Sequence, residues 1–193
     1  MIKSILRFVR DRILISLLVA LSISNFKVRK YIFGFENACN FLRSLSDFSI
    51  IPILKSEGAN IGKESEIQSG ITFHNCKSFH VLKIGTNCSI GKNCFIDLRG
   101  NVTISDNVVI SMNCTFLTHI DMNPSKLRKL YPADQKDIYI GNHSYIGSNA
   151  VILMGIKTGE YSFIAAKSLV NKDIEPNSLV AGVPAVHKKY MSI

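Results

Sequence analysis

Residues 140–176 read IGNHSY IGSNAV ILMGIK TGEYSF IAAKSL VNKDIE P when broken into sixes. An aliphatic residue opens the frame at Ile140, Ile146, Ile152, Ile164 and Val170, with Thr158 and Pro176 in the same register. Small residues follow directly at Gly141, Gly147, Gly159 and Ala165, and others come four places on, at Ser144, Ala150, Ser162 and Ser168. A period of six matches neither a helix, which repeats every 3.6 residues, nor an ordinary strand, which repeats every two. It is the signature of a parallel β-helix, an all-β architecture in which each six forms one short face and one corner, and three sixes close a triangular coil. The aliphatic residue points to the prism axis, and its small neighbour lets the chain turn tightly.

Working outward, the frame first shows at Ile61-Gly62 and Ile67, then loosens over residues 69–83, which hold Phe73, His74, Phe79 and His80. It returns at Ile84-Gly85, Ile90-Gly91, Ile96-Asp97 and Val102, slips by two, and resumes at Ile104, Ile110 and Phe116. A slip of this size bulges one corner without breaking the stack. Residues 118–138 then interrupt the repeat, with Pro124, Pro132 and the basic cluster Lys126, Arg128 and Lys129. Long irregular insertions in repeat arrays gather on one face and tend to carry function. Residues 56–186 therefore read as the β-helix body, 118–138 as an inserted active-site loop, and 187–193 as a short basic tail.

Residues 1–55 read as a helical N-terminal segment. They carry nine Lys/Arg against three acids, whereas the rest of the chain holds fourteen against eleven. An apolar run from Ile13 to Ile23 follows the first basic residues, but it is about half the roughly twenty residues that a membrane-spanning helix needs. Such a segment suits packing on the body or a neighbouring subunit, or peripheral contact of residues 1–25 with an anionic membrane face. Helix-like spacing continues through Phe26, Tyr31, Phe33, Phe41, Leu42 and Leu45, and Pro52 is expected to mark its end. A basic leader on a nearly balanced body lacks the basic stripe and stacking aromatics of a nucleic-acid protein.

The five cysteines (Cys39, Cys76, Cys88, Cys94 and Cys114) form no C-x-x-C pair. Cys88, Cys94 and Cys114 fall at small-residue places and read as packed free thiols, which favours a reducing cytoplasm. Four N-x-S/T matches, at Asn87, Asn101, Asn113 and Asn142, are products of the repeat's corners rather than modification signals. His74 and His80, six apart, read as a structural corner pair, and His143 as a solvent-facing corner residue.

The body resembles the hexapeptide-repeat acyltransferases, in the branch of sugar O-acetyltransferases that includes the galactoside and maltose enzymes and those of capsule and lipopolysaccharide. The stretches that carry the likeness are Phe116-Leu117-Thr118-His119, the run from Ile140 to Ser148, the run from Val170 to Ser178, and Ala181-Gly182-Val183-Pro184-Ala185. The resemblance implies a left-handed parallel β-helix of hexapeptide repeats with a helical N-terminal extension, a homotrimer, and acetyl-CoA in a groove between subunits. It implies no metal.

It also makes His119 the catalytic base. A sugar hydroxyl is a poor nucleophile at neutral pH, and a positioned imidazole can take its proton as attack on a thioester begins. Thr118 and Ile120 replace the Gly and Pro that flank the galactoside enzymes' histidine, which points to the polysaccharide-modifying branch. Asp97 resembles an acidic residue that some of these enzymes aim at the site, either to orient His119 or to bind the acceptor; Asp121 is a second acceptor-binding candidate. The donor contacts fall on Ser148, Ala166, Asn171 and Lys172, with Lys188 as a further phosphate partner. A carbonic anhydrase of this fold would need a second histidine five places after His119, where Pro124 stands. Acetyl transfer to an amine and a non-enzymatic scaffold are the remaining alternatives.

Overall fold

In the computed structural model, residues 2–192 are described, with side chains described from Arg10 onward. Three helices precede the β-helix: α1 (Ile2–Phe33), α2 (Phe35–Leu42) and α3 (Asp47–Ser56). From Asn60 the chain winds into a triangular prism of short parallel strands that form three sheets of five, six and five strands, the second of which gains an antiparallel seventh from the tail. Inward residues stack rung on rung: Ile84 on Ile104 on Ile140 on Thr158, and Ile90 on Ile110 on Ile146 on Ile164. On the third face Ile96, Phe116, Ile152 and Val170 stack in the same way. All of these lie within the buried core.

The two-residue slip falls at one corner without breaking the stack: eight residues rather than six separate Ile96 from Ile104, which still stacks between Ile84 and Ile140. Strands Leu82–Ile84, Val102–Ile104 and Ile138–Ile140 each turn two residues inward, so Val102 and Ile104 both fill the core. Pro176 departs from its expected register. Ile174 forms the bridge to Thr158, and the exposed Pro176 packs over Gly159 instead. The sequon residues Asn87 and Asn113 stand in the left-handed conformation, at φ 54° and 59°. Asparagine tolerates that conformation better than most residues, which explains its recurrence at the corners.

α3 runs through Pro52 rather than ending there. Its apolar face (Ile50, Ile53 and Leu54) is fully buried against the first coil, and that burial outweighs the backbone bond which proline cannot make. Phe26 of α1, Phe35 of α2, and Phe73 and Phe79 of the first coil form one aromatic cluster, with ring centroids 5.2–6.3 Å apart. This cluster closes the N-terminal end of the prism and fixes where α2 begins. The tail is not loose: Val186–Tyr190 is a strand antiparallel to Ser178–Ala181. All five cysteines are buried free thiols. His74 and His80 form no pair; His74 meets Glu36, and His80 lies beneath Gly58.

The tightest spots in the prism are the corners where one glycine crosses the next coil. A Cβ on Gly141 would lie 2.6 Å from the Gly159 carbonyl carbon and oxygen. Because the obstacle is backbone on a neighbouring rung, the stack must open to admit it. Gly141→Ala is expected to lower the melting temperature by roughly 3–10 °C, the effect of overpacking by about 1–3 kcal/mol; an unchanged thermal unfolding curve would show that the corner yields freely.

Candidate active site

Two neighbouring rungs of the third face build the site. Strand Phe95–Asp97 pairs in register with Thr115–Phe116, so the residue that follows Ile96 lies beside the point where the next coil leaves the prism. Asp97 therefore sits under the start of the insertion. It is fully buried, and its carboxylate is surrounded by donors. Oδ2 accepts from the Thr118 amide at 2.9 Å, the Thr118 hydroxyl at 2.5 Å and His119 Nδ1 at 2.6 Å. Oδ1 accepts from Asn75 Nδ2 at 3.2 Å. Burial pushes the Asp97 carboxyl up, but the hydrogen bonds from His119, the Thr118 hydroxyl and amide, and Asn75 more than reverse this. The group ends below the usual carboxylate range.

An ionised carboxylate can only accept, so His119 Nδ1 carries a hydrogen, and in the neutral imidazole the lone pair then lies on Nε2. Asn75 Nδ2 lies 3.4 Å from that Nε2. The histidine side chain is 17% exposed, enough for one edge to reach solvent. Beside it is a cavity of about 260 Å³ lined by Asn75, Lys77, Ser78, Arg99 and Gln135 among others.

The insertion is an arm rather than an unstructured loop. His119–Ile120 pairs antiparallel with Asp134–Gln135, opposing His119 to Gln135, and Lys136 N bonds to Thr118 O at the base. A short helix at Lys126–Lys129 crosses the tip. Asp121 lies on this arm, bonded to the Asn123 amide at 2.9 Å and to Arg99 Nη1 at 3.3 Å. Those hydrogen bonds hold its carboxyl below the usual range. Through Arg99 it touches the wall of the cavity.

The candidate donor residues fall at two corners. Ser148 and Ala166 stack on adjacent rungs, where the Lys167 amide bonds to Ser148 O. Ser148 Oγ also meets Ser111 Oγ at 2.6 Å. Asn171 and Lys172 lie together in the wall of a larger cavity of about 510 Å³, with Pro184, His187 and Tyr190. Lys188 is exposed on the terminal strand and lies outside that wall, which its neighbour His187 joins. Strands Thr115–Phe116, Val151–Ile152 and Leu169–Val170 are successive rungs, which puts Asn171 about 10 Å along the prism from the His119 turn.

Sequence reasoning missed Asn75, Glu36, Arg99 and Gln135. Asn75 and Glu36 belong to irregular or helical stretches where the period of six is silent. Only the register of His74 with Asp97 brings Asn75 to the dyad.

The hexapeptide-repeat model described for succinyl-transferases matches residues 81–116 and 138–169. The chain is 47% identical over 49 residues to a chloramphenicol acetyltransferase of Agrobacterium fabrum, and 53% identical over 47 residues to the galactoside O-acetyltransferase of Escherichia coli. These matches cover 25% and 24% of this chain, and 23% of each relative. The structure of a galactoside acetyltransferase in complex with coenzyme A superposes with a TM-score of 0.69 at 28% identity, covering 90% of this chain and 82% of that one. The prism is thus a left-handed β-helix of hexapeptide repeats, and in fold and in its repeat stretches the chain is similar to the galactoside acetyltransferase.

Asp97 also links the site to stability. Its folded-state pKa is depressed, so its contribution is fully present above the unfolded carboxylate value near 3.9 and is lost as pH falls through the folded value. Denaturant titrations from pH 7 to pH 2 are expected to show a steeper acid loss of stability in the native chain than in Asp97→Asn. Parallel curves would mean that the carboxylate is not held ionised by its donors.

Proposed function

We propose that the chain is an acetyl-CoA-dependent O-acetyltransferase that transfers acetyl to a sugar hydroxyl in surface polysaccharide or lipopolysaccharide assembly, with His119 as general base. The observation that carries this reading is the 2.6 Å bond from His119 Nδ1 to a buried, ionised Asp97, which leaves Nε2 free to take a proton beside a cavity. Asp97 fixes the tautomer and favours the imidazolium that forms. Having no exposure, it acts through His119 rather than on the acceptor. Acetyl-CoA supplies the activated acyl group. The small residues at Ser148 and Ala166 would let a slender amide-bearing arm run along the backbone, and the Asn171–Lys172 corner offers an amide and a cation for its polar end. The cavity between Asn75, Ser78, Arg99 and Gln135 gives room for the acceptor, with Asp121 reaching it through Arg99.

Assembly as a homotrimer has support in the outer faces. One carries Val109, Tyr145, Phe163 and Leu179, and another carries Phe95, Val151 and Leu169, whereas the third shows Lys83, Thr103, Tyr139 and Lys157. Two apolar faces on one prism suit packing against copies of itself. A particle of three chains that binds acetyl-CoA by calorimetry at one site per chain is expected. In that particle His119→Ala should keep donor binding and lose about 10²–10⁴-fold in acetyl transfer. Sugars, chloramphenicol and amines form the acceptor panel. Transfer by His119→Ala at the native rate would sink the base assignment, and transfer to amines alone would replace the sugar reading.

We further propose that the chain works at the inner, cytoplasmic face of a membrane through α1. Among the described residues no helix is long and apolar enough to cross a bilayer. Yet Ile13, Leu14, Ile15, Leu17, Leu18 and Leu21 are each at least 44% exposed, with Arg10 and Arg12 before them and Lys27 after. Apolar exposure around a basic-flanked helix suits the interface of an anionic bilayer. The native chain is expected to sediment with anionic vesicles at low salt, and a Leu14→Glu/Leu17→Glu/Leu21→Glu variant to stay in solution. Equal partitioning of the two would remove the membrane from the proposal.

A further inference from the structure

Asn75 occupies a place that the His119–Asp97 pair alone does not explain. It stands in the left-handed conformation at φ 53°, just after strand Thr72–His74. Its side-chain amide must face Asp97 with nitrogen rather than oxygen, because the carboxylate it meets can only accept. One Nδ2 hydrogen is therefore committed to Asp97 Oδ1, at 3.2 Å. The second is free to turn toward the edge of His119 that carries the basic lone pair. The 3.4 Å from Nδ2 to Nε2 is longer than a good N–H···N bond, so Asn75 flanks the base without occupying it.

An acceptor hydroxyl that donates to Nε2 must put its oxygen roughly 2.7–3.2 Å from that nitrogen. Asn75 Nδ2, at 3.4 Å from the same atom and in the wall of the adjoining cavity, is within reach of that oxygen. We infer that Asn75 donates a hydrogen bond to the reacting oxygen of the acceptor and is a catalytic residue beside His119. We infer also that Glu36 of α2 is its positioning residue. This deepens the acetyltransferase reading and rests on it.

Glu36 lies in the first turn of α2 and reaches back to the coil. Its Oε1 accepts from the Asn75 amide at 3.1 Å and meets His74 Nδ1 at 3.0 Å, while Oε2 accepts from the Cys76 amide at 2.9 Å. One carboxylate thereby holds successive backbone groups of the turn that bears Asn75. The turn follows directly on strand Thr72–His74, which pairs with Phe95–Asp97, and the Glu36 carboxylate adds a second hold from α2. The helical N-terminal segment is in this way part of the active site. When the hydroxyl proton passes to Nε2, the developing charge on the oxygen strengthens the bond from Asn75, so the contact tightens as the reaction proceeds.

The test uses the full chain and Asn75→Gly, which removes the amide but suits the left-handed turn, together with Glu36→Gln. Acetyl-CoA turnover is followed with and without acceptor, water serving as the minimal acceptor. Asn75→Gly is expected to lower kcat/KM for the acceptor by roughly tenfold or more, with calorimetric affinity for acetyl-CoA near the native value. Glu36→Gln is expected to give a smaller loss that is absent when Asn75 is already glycine. Native turnover in Asn75→Gly would overturn this inference alone. A loss of donor affinity equal to the loss of rate would make Asn75 structural and overturn it likewise. No turnover by the native chain, even onto water, would bring down the acetyltransferase reading and this inference with it.

Discussion

The parallel hydrogen-bond ladder between coils is the constraint on which the rest of the molecule depends. It sets successive rungs about 4.8 Å apart and lets no strand drift in register, because a one-residue slip would turn the core-facing set outward. The site is a product of that rigidity. Phe95 pairs with Thr115 and Ile96 with Phe116, so Asp97 falls beneath the residues that leave the prism as the arm. Thr118 then spans the gap, donating to Asp97 through both amide and hydroxyl while its hydroxyl accepts from Gly100 N at 3.0 Å. His119 arrives next to a carboxylate that the fold has already oriented. Two backbone registers and one threonine place the imidazole, with no need for a long flexible side chain to find its partner.

Much of this was legible in the sequence because the repeat is self-reporting. An inward aliphatic every six residues and a small residue beside it state both the core and the close approach of coils, and they give Asp97 and His119 as residues on adjacent rungs. What the period could not state lies where the structure stops being periodic. Pro52 read as a helix end, yet the burial of Ile50, Ile53 and Leu54 carries α3 through it. The Phe26, Phe35, Phe73 and Phe79 cluster joins residues more than fifty positions apart, and no local pattern announces such a contact. Asn75 and Glu36 were hidden for the same reason: their meeting depends on how α2 docks, a tertiary fact, and on an irregular coil with no repeat frame.

The buried Asp97 shows how the fold solves a costly problem. An isolated carboxylate out of water is strongly unfavourable, and it is tolerated only when its lone pairs are filled. Here four donors fill them, three from the arm's first two residues and one from Asn75. The same donors that make the charge tolerable also fix the side chains that carry the chemistry. Folding and the proposed catalysis therefore draw on one network, and loss of any one donor would be felt by the Asp97 charge and by His119 together.

That economy divides the site into a part that is fixed and a part that is free to vary. The dyad sits on the prism, anchored by backbone bonds at Thr118 and by the Lys136 amide at the base of the arm. The arm beyond carries an exposed Lys126–Lys129 helix and the Asp121–Arg99 pair, and Asp121 bonds to Arg99 and Asn123 rather than to the dyad. Changes there alter what is presented to the cavity without moving the base. Under the proposed function, an imidazole held by two rungs and an acceptor side built from a side arm keep acceptor choice and proton transfer physically separable. The identity of the acceptor is then written mainly in the arm and its surroundings, where no repeat constrains the residues.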